Sequence, residues 1–192
     1  MKRVACVEAF ARRRGDAVVI VSPGYTAHEL ACAEHTEVTL YNMEMGYAAP
    51  MCLGVAPARP DRRVVAIEGD GSLLMSASCL TTIARYAPAN LSILVFDNGC
   101  YLTTGRGAVA TATGHGADLA MLARGAGLSD AQVSDVRNLD AFESALGRAL
   151  SERGPWLIVA HVDSSDRGDP RARGDFPTDL VEQAVLFRLA LR

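Results

Sequence analysis

Two short turns, Gly69-Asp70-Gly71 and Asp97-Asn98-Gly99, follow two successive apolar runs in this 192-residue chain and hold residue types suited to a divalent cation and a phosphate. Asp70 offers a charged oxygen and Asn98, 28 positions on, a neutral one. Magnesium favours such a pair, because it takes an octahedral set of hard oxygens and commonly combines one or two carboxylates with phosphate oxygens and water. The backbone carbonyl of Cys100 could complete the protein's share without adding negative charge. Gly69, Gly71 and Ser72 let backbone N–H groups and a hydroxyl approach an anion closely. The pattern reads as a magnesium–diphosphate site.

The elements around the turns must bring them to one place. Arg63 to Glu68 and Leu91 to Phe96 are near-continuous apolar, β-prone runs, as in parallel strands buried on both faces. Between them, Leu73, Leu74, Ala77, Leu80, Ile83 and Ala84 recur at helical spacing from Ser72 to Tyr86, and Pro88 ends that helix. The glycine turn then sits at a helix N-terminus, where unpaired N–H groups attract anions, and the second turn sits at a strand's carboxyl end, where open α/β sheets bind ligands. Further helices are expected at Lys2–Arg13, Thr26–Glu34, Met45–Ala58, Ala117–Arg124, Asn138–Glu152 and Pro177–Leu191. Further strands are expected at Ala17–Val21, Glu37–Tyr41, Ala131–Ser134 and Trp156–Val162. This alternation predicts an α/β fold, a parallel sheet with helices on both faces, and the length suits a single domain over residues 1–192. Gly99 to Gly116, rich in Gly and Thr, reads as a loop that orders around a bound cofactor.

The segment MEMGYAAPMCLG from Met43 to Gly54, followed by EGDGS and DNGCY, resembles the diphosphate-binding domain of thiamine-diphosphate-dependent decarboxylases, a likeness running from about Val18 to Val162. It implies thiamine diphosphate and Mg2+ as cofactors, with Asp70, Asn98 and Cys100 as metal ligands and Gly69, Gly71, Ser72 and Tyr101 near the phosphates. It also places Met43 and Met45 at the cofactor, Met45 as the apolar prop that bends it, and assigns Gly24, Tyr25 and Thr26 of the loop beginning Ser22-Pro23 to the far phosphates. The ending GPWLIVAHVDSS and DFPTDLVEQAVLFRLAL is most similar to the small (beta) subunit of sulfopyruvate decarboxylase and the C-terminal half of phosphonopyruvate decarboxylase. Two departures stand out. Asp97-Asn98 replaces a common Asn-Asn, and Thr104-Gly105-Arg106-Gly107 replaces a Thr-Gly-Gly-Gln run, which bears on the substrate.

The chain has no room for the second domain that grips the aminopyrimidine. The resemblance therefore implies a split 2-oxo acid decarboxylase, a carbon–carbon lyase in which a separate pyrimidine-binding subunit brings the activating glutamate. The assembly would be a hetero-oligomer, a dimer of heterodimers or larger. Two other outcomes stay open: a carboligase subunit of the acetolactate-synthase kind, and a cofactor-holding regulatory subunit without turnover. A nicotinamide-binding domain fits less well, because the first strand runs into Ser22-Pro23-Gly24 instead of a GxGxxG turn.

Composition is that of a globular enzyme, 49% hydrophobic with a net charge of −3, which argues against nucleic acid as a partner. No stretch approaches the roughly 18 apolar residues of a membrane span, and the start MKRVACVEAFARRR is not a signal peptide, so the cytoplasm is the expected setting. Cys6, Cys32, Cys52, Cys79 and Cys100 contain no CxxC pair, and Cys52 and Cys79 read as small buried thiols within helices. Arg106 is a candidate contact for an anionic substrate, and His28 and His115 are the histidines to test for proton transfer; His35 and His161 read as structural.

Overall fold

The computed structural model describes residues 1–103, 108–166, 176 and 179–192. Arg106, with the Thr104–Gly107 run, and the expected start of the last helix at Pro177 lie outside the described residues. The chain runs α1 (Arg3–Ala11), β1 (Val18–Val21), α2 (Tyr25–Ala33), β2 (Thr39–Leu40), α3 (Ala48–Ala58), β3 (Val64–Gly69), α4 (Asp70–Met75), α5 (Cys79–Tyr86) and β4 (Leu91–Asp97). It continues through a short ribbon of β5 (Cys100–Tyr101) and β6 (Val109–Ala110), then α6 (Leu119–Gly125), β7 (Val133–Val136), α7 (Leu139–Ser151), β8 (Trp156–His161) and α8 (Leu180–Ala190).

Six strands form one parallel sheet in the order β2-β1-β3-β4-β8-β7. Because successive strand residues point to opposite faces, each apolar run feeds two cores. Val19, Val21, Val65, Ile67, Leu94 and Phe96 pack with Phe10 of α1, Leu30 of α2 and Phe142 of α7. Val18, Ile20, Val64, Ala66, Ile93 and Val95 pack with Cys52 of α3, Leu80 and Ile83 of α5 and Leu119 of α6. The expected parallel sheet with helices on both faces is the observed fold. No helix among the described residues is long and apolar enough to cross a membrane.

Three expectations change. The single helix over Ser72–Tyr86 is two, because Ser76 leaves the helical region (φ −130°, ψ 26°) and Ser76-Ala77-Ser78 forms a turn. Backbone turn bonds replace the helical ones there, the Ser76 N–H donating to the Leu73 carbonyl at 3.0 Å and the Cys79 N–H to the Ser76 carbonyl at 2.8 Å, while the apolar spacing carries on across the break and hides it. The helix expected from Met45 begins only at Ala48: Asn42 (φ 55°) and Gly46 (φ 82°) are left-handed, so Met45 sits in a turn. The Gly99–Gly116 segment, expected as a loop awaiting cofactor, carries the β5–β6 ribbon and a helical turn at Thr113–His115 in its described parts.

Candidate functional site

The two turns meet. β3 and β4 are neighbours, with Gly69 in register with Phe96, so Asp70 and Asn98 leave adjacent strand tips. They share a cleft lined by Ser22, Gly24, Tyr25, Thr26, Met45, Gly69, Gly71, Ser72, Cys100 and Tyr101. Every cofactor residue expected from the sequence lines it except Met43. That side chain packs instead against the α3-side core, while its N–H donates to the Val21 carbonyl at 2.8 Å.

Asp70 opens α4 and is only 2% exposed. Burial pushes its carboxyl above the usual carboxylate range; the hydroxyls of Thr111 and Thr113 pull it partly back, and the nearby charge of Asp97 raises it. Thr111 donates to Asp70 Oδ2 at 2.5 Å, and Thr113 lies 2.7 Å from the same oxygen and 2.8 Å from Asp97 Oδ1. Among the described residues, neither carboxylate is paired with a lysine or arginine. Two buried acids on shared hydroxyls, with no lysine or arginine beside them among the described residues, are a donor set that a divalent cation would complete.

Asn98 is held by its own turn: its Oδ1 accepts the Cys100 N–H at 3.1 Å and keeps a second lone pair. Asp97 Oδ1 accepts the Gly99 N–H at 3.0 Å, and Gly99 takes φ 69°. Among the described residues no group of three His, Cys, Asp or Glu side chains could hold a metal. The set at the strand tips is of another kind, one carboxylate, one amide and one backbone carbonyl.

Ser72 lines the cleft, and its hydroxyl is engaged within the protein. Its Oγ donates to Glu68 Oε2 and accepts the Gly46 N–H at 2.9 Å, while Glu68 Oε1 accepts the Ala49 N–H at 2.9 Å. Glu68 is 1% exposed, and burial raises its carboxyl. This carboxylate, one residue before the glycine turn, was visible as a charge inside an apolar strand; its task is to hold the turn that carries Met45. On the opposite wall, the Gly69 N–H donates to Ser22 Oγ at 3.3 Å and Gly24 adopts φ 123°, a conformation a side chain would strain.

Arg3 lines the same cleft without any sequence signal. Its guanidinium makes two 2.9 Å bonds to buried Glu29 and lies over the Tyr25 ring, fixing the loop expected at the far phosphates. Neither His28, stacked on Phe176, nor exposed His115 lines the cleft. The histidine nearest the strand tips is His161, with Nδ1 3.5 Å from Asp97 and Nε2 2.7 Å from Asp135.

A parallel sheet with a buried acid and an amide at adjacent strand tips, facing a glycine-walled cleft, defines a cofactor-binding α/β domain. Residues 24–160 match the family model described as thiamine pyrophosphate enzyme, C-terminal TPP binding domain, and the chain belongs to that family. It is 32% identical over 163 residues to sulfopyruvate decarboxylase subunit beta of Methanothermobacter thermautotrophicus, covering 84% of this chain and 81% of the relative. It is 35% identical over 158 residues to phosphonopyruvate decarboxylase of Streptomyces viridochromogenes, covering 81% of this chain but only 38% of that protein. The fold is shared with benzoylformate decarboxylase from Polynucleobacter necessarius at TM-score 0.73 and 18% identity, over 88% of this chain and 34% of that one.

Proposed function

We propose that this chain is the diphosphate-binding subunit of a split thiamine-diphosphate-dependent 2-oxo acid decarboxylase that works only with a separate pyrimidine-binding subunit. The observation that carries this reading is the register of β3 and β4, which sets Asp70 and Asn98 side by side on one cleft. The relatives' names point to an acidic 2-oxo acid such as sulfopyruvate or phosphonopyruvate as substrate.

The residues fit the cofactor and its Mg2+. Asp70, the Asn98 side-chain oxygen and the Cys100 carbonyl would hold the ion; Gly69, Gly71, Tyr101 and the Gly24–Thr26 loop would flank the diphosphate, and Met45 would prop its bend. When bound, the cofactor supplies an electron sink for the bond that loses carbon dioxide. The chain's own part is placement: Glu68 and Ser72 fix the Met45 turn, and Arg3 and Glu29 fix Tyr25. The cleft offers about 110 Å³, below the roughly 300 Å³ at which cofactor-sized pockets begin, so this chain alone does not enclose a cofactor.

Calorimetry on the assembled pair tests the site. Asp70→Ala should abolish Mg2+-dependent thiamine diphosphate binding, and unchanged affinity overturns the metal assignment. The isolated chain should bind weakly; tight binding with turnover would remove the need for a partner. An activity panel of 2-oxo acids on the pair then identifies the substrate.

A further inference from the structure

Residues 111–113 fold back onto a carboxylate more than forty positions earlier in the chain, Asp70, and nothing in the family assignment requires it. Thr111 is buried, and its N–H also donates to the Gly99 carbonyl at 3.0 Å, so this segment is stapled to the metal loop as well. Thr111 and Thr113 both address Oδ2 of Asp70, and among the described residues Oδ1 receives no side-chain donor. Thr113 also reaches Asp97 Oδ1 at 2.8 Å and Thr111 Oγ1 at 2.9 Å. A hydroxyl carries one proton, so Thr113 can donate to only one carboxylate at a time. Its hydroxyl stands between three side-chain oxygens, of Asp70, Asp97 and Thr111, as a strut between the tips of β3 and β4.

We infer that Thr113, seconded by Thr111, is the positioning residue of the metal site: it fixes the Asp70 carboxylate by Oδ2, presents Oδ1 to the cation, and ties the β3 tip to the β4 tip through Asp97. The inference rests on the proposed metal site and adds the residues that orient it. Groups that orient a ligand from behind commonly set metal affinity, because an unfixed carboxylate must be ordered as the ion binds. Neither threonine would touch the cofactor.

The test uses the chain assembled with its pyrimidine-binding partner, with thiamine diphosphate present and Mn2+ as the probe ion, bound and free ion being separated by electron paramagnetic resonance. Thr113→Val removes the hydroxyl and keeps the shape; Thr113→Ser keeps the hydroxyl. The valine variant should lose about 10–100-fold in Mn2+ affinity, and the serine variant should recover most of it. Melting without metal should change little in either. Thr111→Val repeats the measurement should Thr113→Val fail to accumulate as folded protein. The inference is overturned if Asp70→Ala abolishes Mn2+ binding while the valine variants bind like the parent chain, or if serine and valine lose melting temperature and affinity alike. If Asp70→Ala itself binds unchanged, the metal site falls first and the inference with it.

Discussion

Gly71 lies beneath the ring of Tyr101: a Cβ at position 71 would stand 2.2 Å from Cε1 and 2.7 Å from Cζ. Two effects compete in Gly71→Ala. Alanine favours the helix α4 by up to about 1 kcal/mol, whereas overpacking costs about 1–3 kcal/mol. The clash should win in the parent chain, giving a net loss in urea denaturation and weaker cofactor binding by the assembled pair as the ring is pushed aside. In a Tyr101→Ala background the same substitution should become neutral or stabilising. Equal costs in both backgrounds would show that the ring is not what excludes a side chain there.

How much of this was legible follows from the range of the interactions. β3 and β4 could be read because each is a run of branched apolar residues closed by a glycine turn, and their ends fall within one or two residues of expectation. Most of the cleft followed, since Asp70 and Asn98 lie in those turns. The break at Ser76 stayed hidden because Leu73, Leu80 and Ile83 keep one apolar face on both sides of it. Met45 was assigned to a helix because the alanines after it mask the left-handed Gly46. Thr111 and Thr113 gave no signal at all: threonines in a glycine-rich stretch look like loop, and their partner is 41 and 43 positions away. Arg3 is similarly remote from Glu29, 26 positions apart. Side chains that orient others across the fold leave no local pattern.

Glu68 gives a pH-dependent prediction. Burial raises its carboxyl above the unfolded value, so as pH rises through the interval between the unfolded and folded pKa values, the folded chain must release a proton the unfolded chain has already lost. That contribution to stability is present at low pH and disappears as pH passes the folded pKa. Glu68→Gln cannot titrate. The melting temperature of Glu68→Gln relative to the parent should therefore climb from about pH 4.5 upward and then level off. A difference that is flat with pH, or that falls, would contradict the raised carboxyl.

Arg3 and Glu29 form a bidentate pair in which both side chains are almost wholly buried. Breaking such a pair from one side leaves an uncompensated charge and costs about 3–5 kcal/mol, while replacing both partners by apolar residues is far less damaging. Arg3→Met should lose stability of that order in urea, and Arg3→Met/Glu29→Met should regain most of it. Cofactor affinity of the assembled pair should follow the same order, because the single variant takes the guanidinium away from buried Glu29 behind the wall that would face the diphosphate. A double variant no better than the single would mean that Arg3 acts through Asp166, whose carboxylate lies 3.7 Å from its guanidinium, and not through Glu29.

Tyr47 and Met75 are the large apolar residues that stand out on either side of the Met45 turn, 57% and 65% exposed. They are neighbours in space, since Gly46 lies so close to Met75 that a Cβ there would be 3.1 Å from the methionine Cβ. Exposed side chains of this size cost roughly 1.5–3 kcal/mol each relative to burial, and here they stand beside the turn whose Met45 lines the cleft that the proposed partner would close. If the proposed pyrimidine-binding subunit docks on this rim, a charge placed there should weaken assembly. Met75→Glu would bury a charge in that contact, whereas in the isolated chain the position is 65% exposed. Its circular dichroism and melting should match the parent, while its affinity for the partner falls by about 2 kcal/mol or more, roughly thirtyfold in the dissociation constant. Sedimentation of the mixed subunits measures it, and a Met75→Glu chain that assembles at parental affinity would move the interface elsewhere.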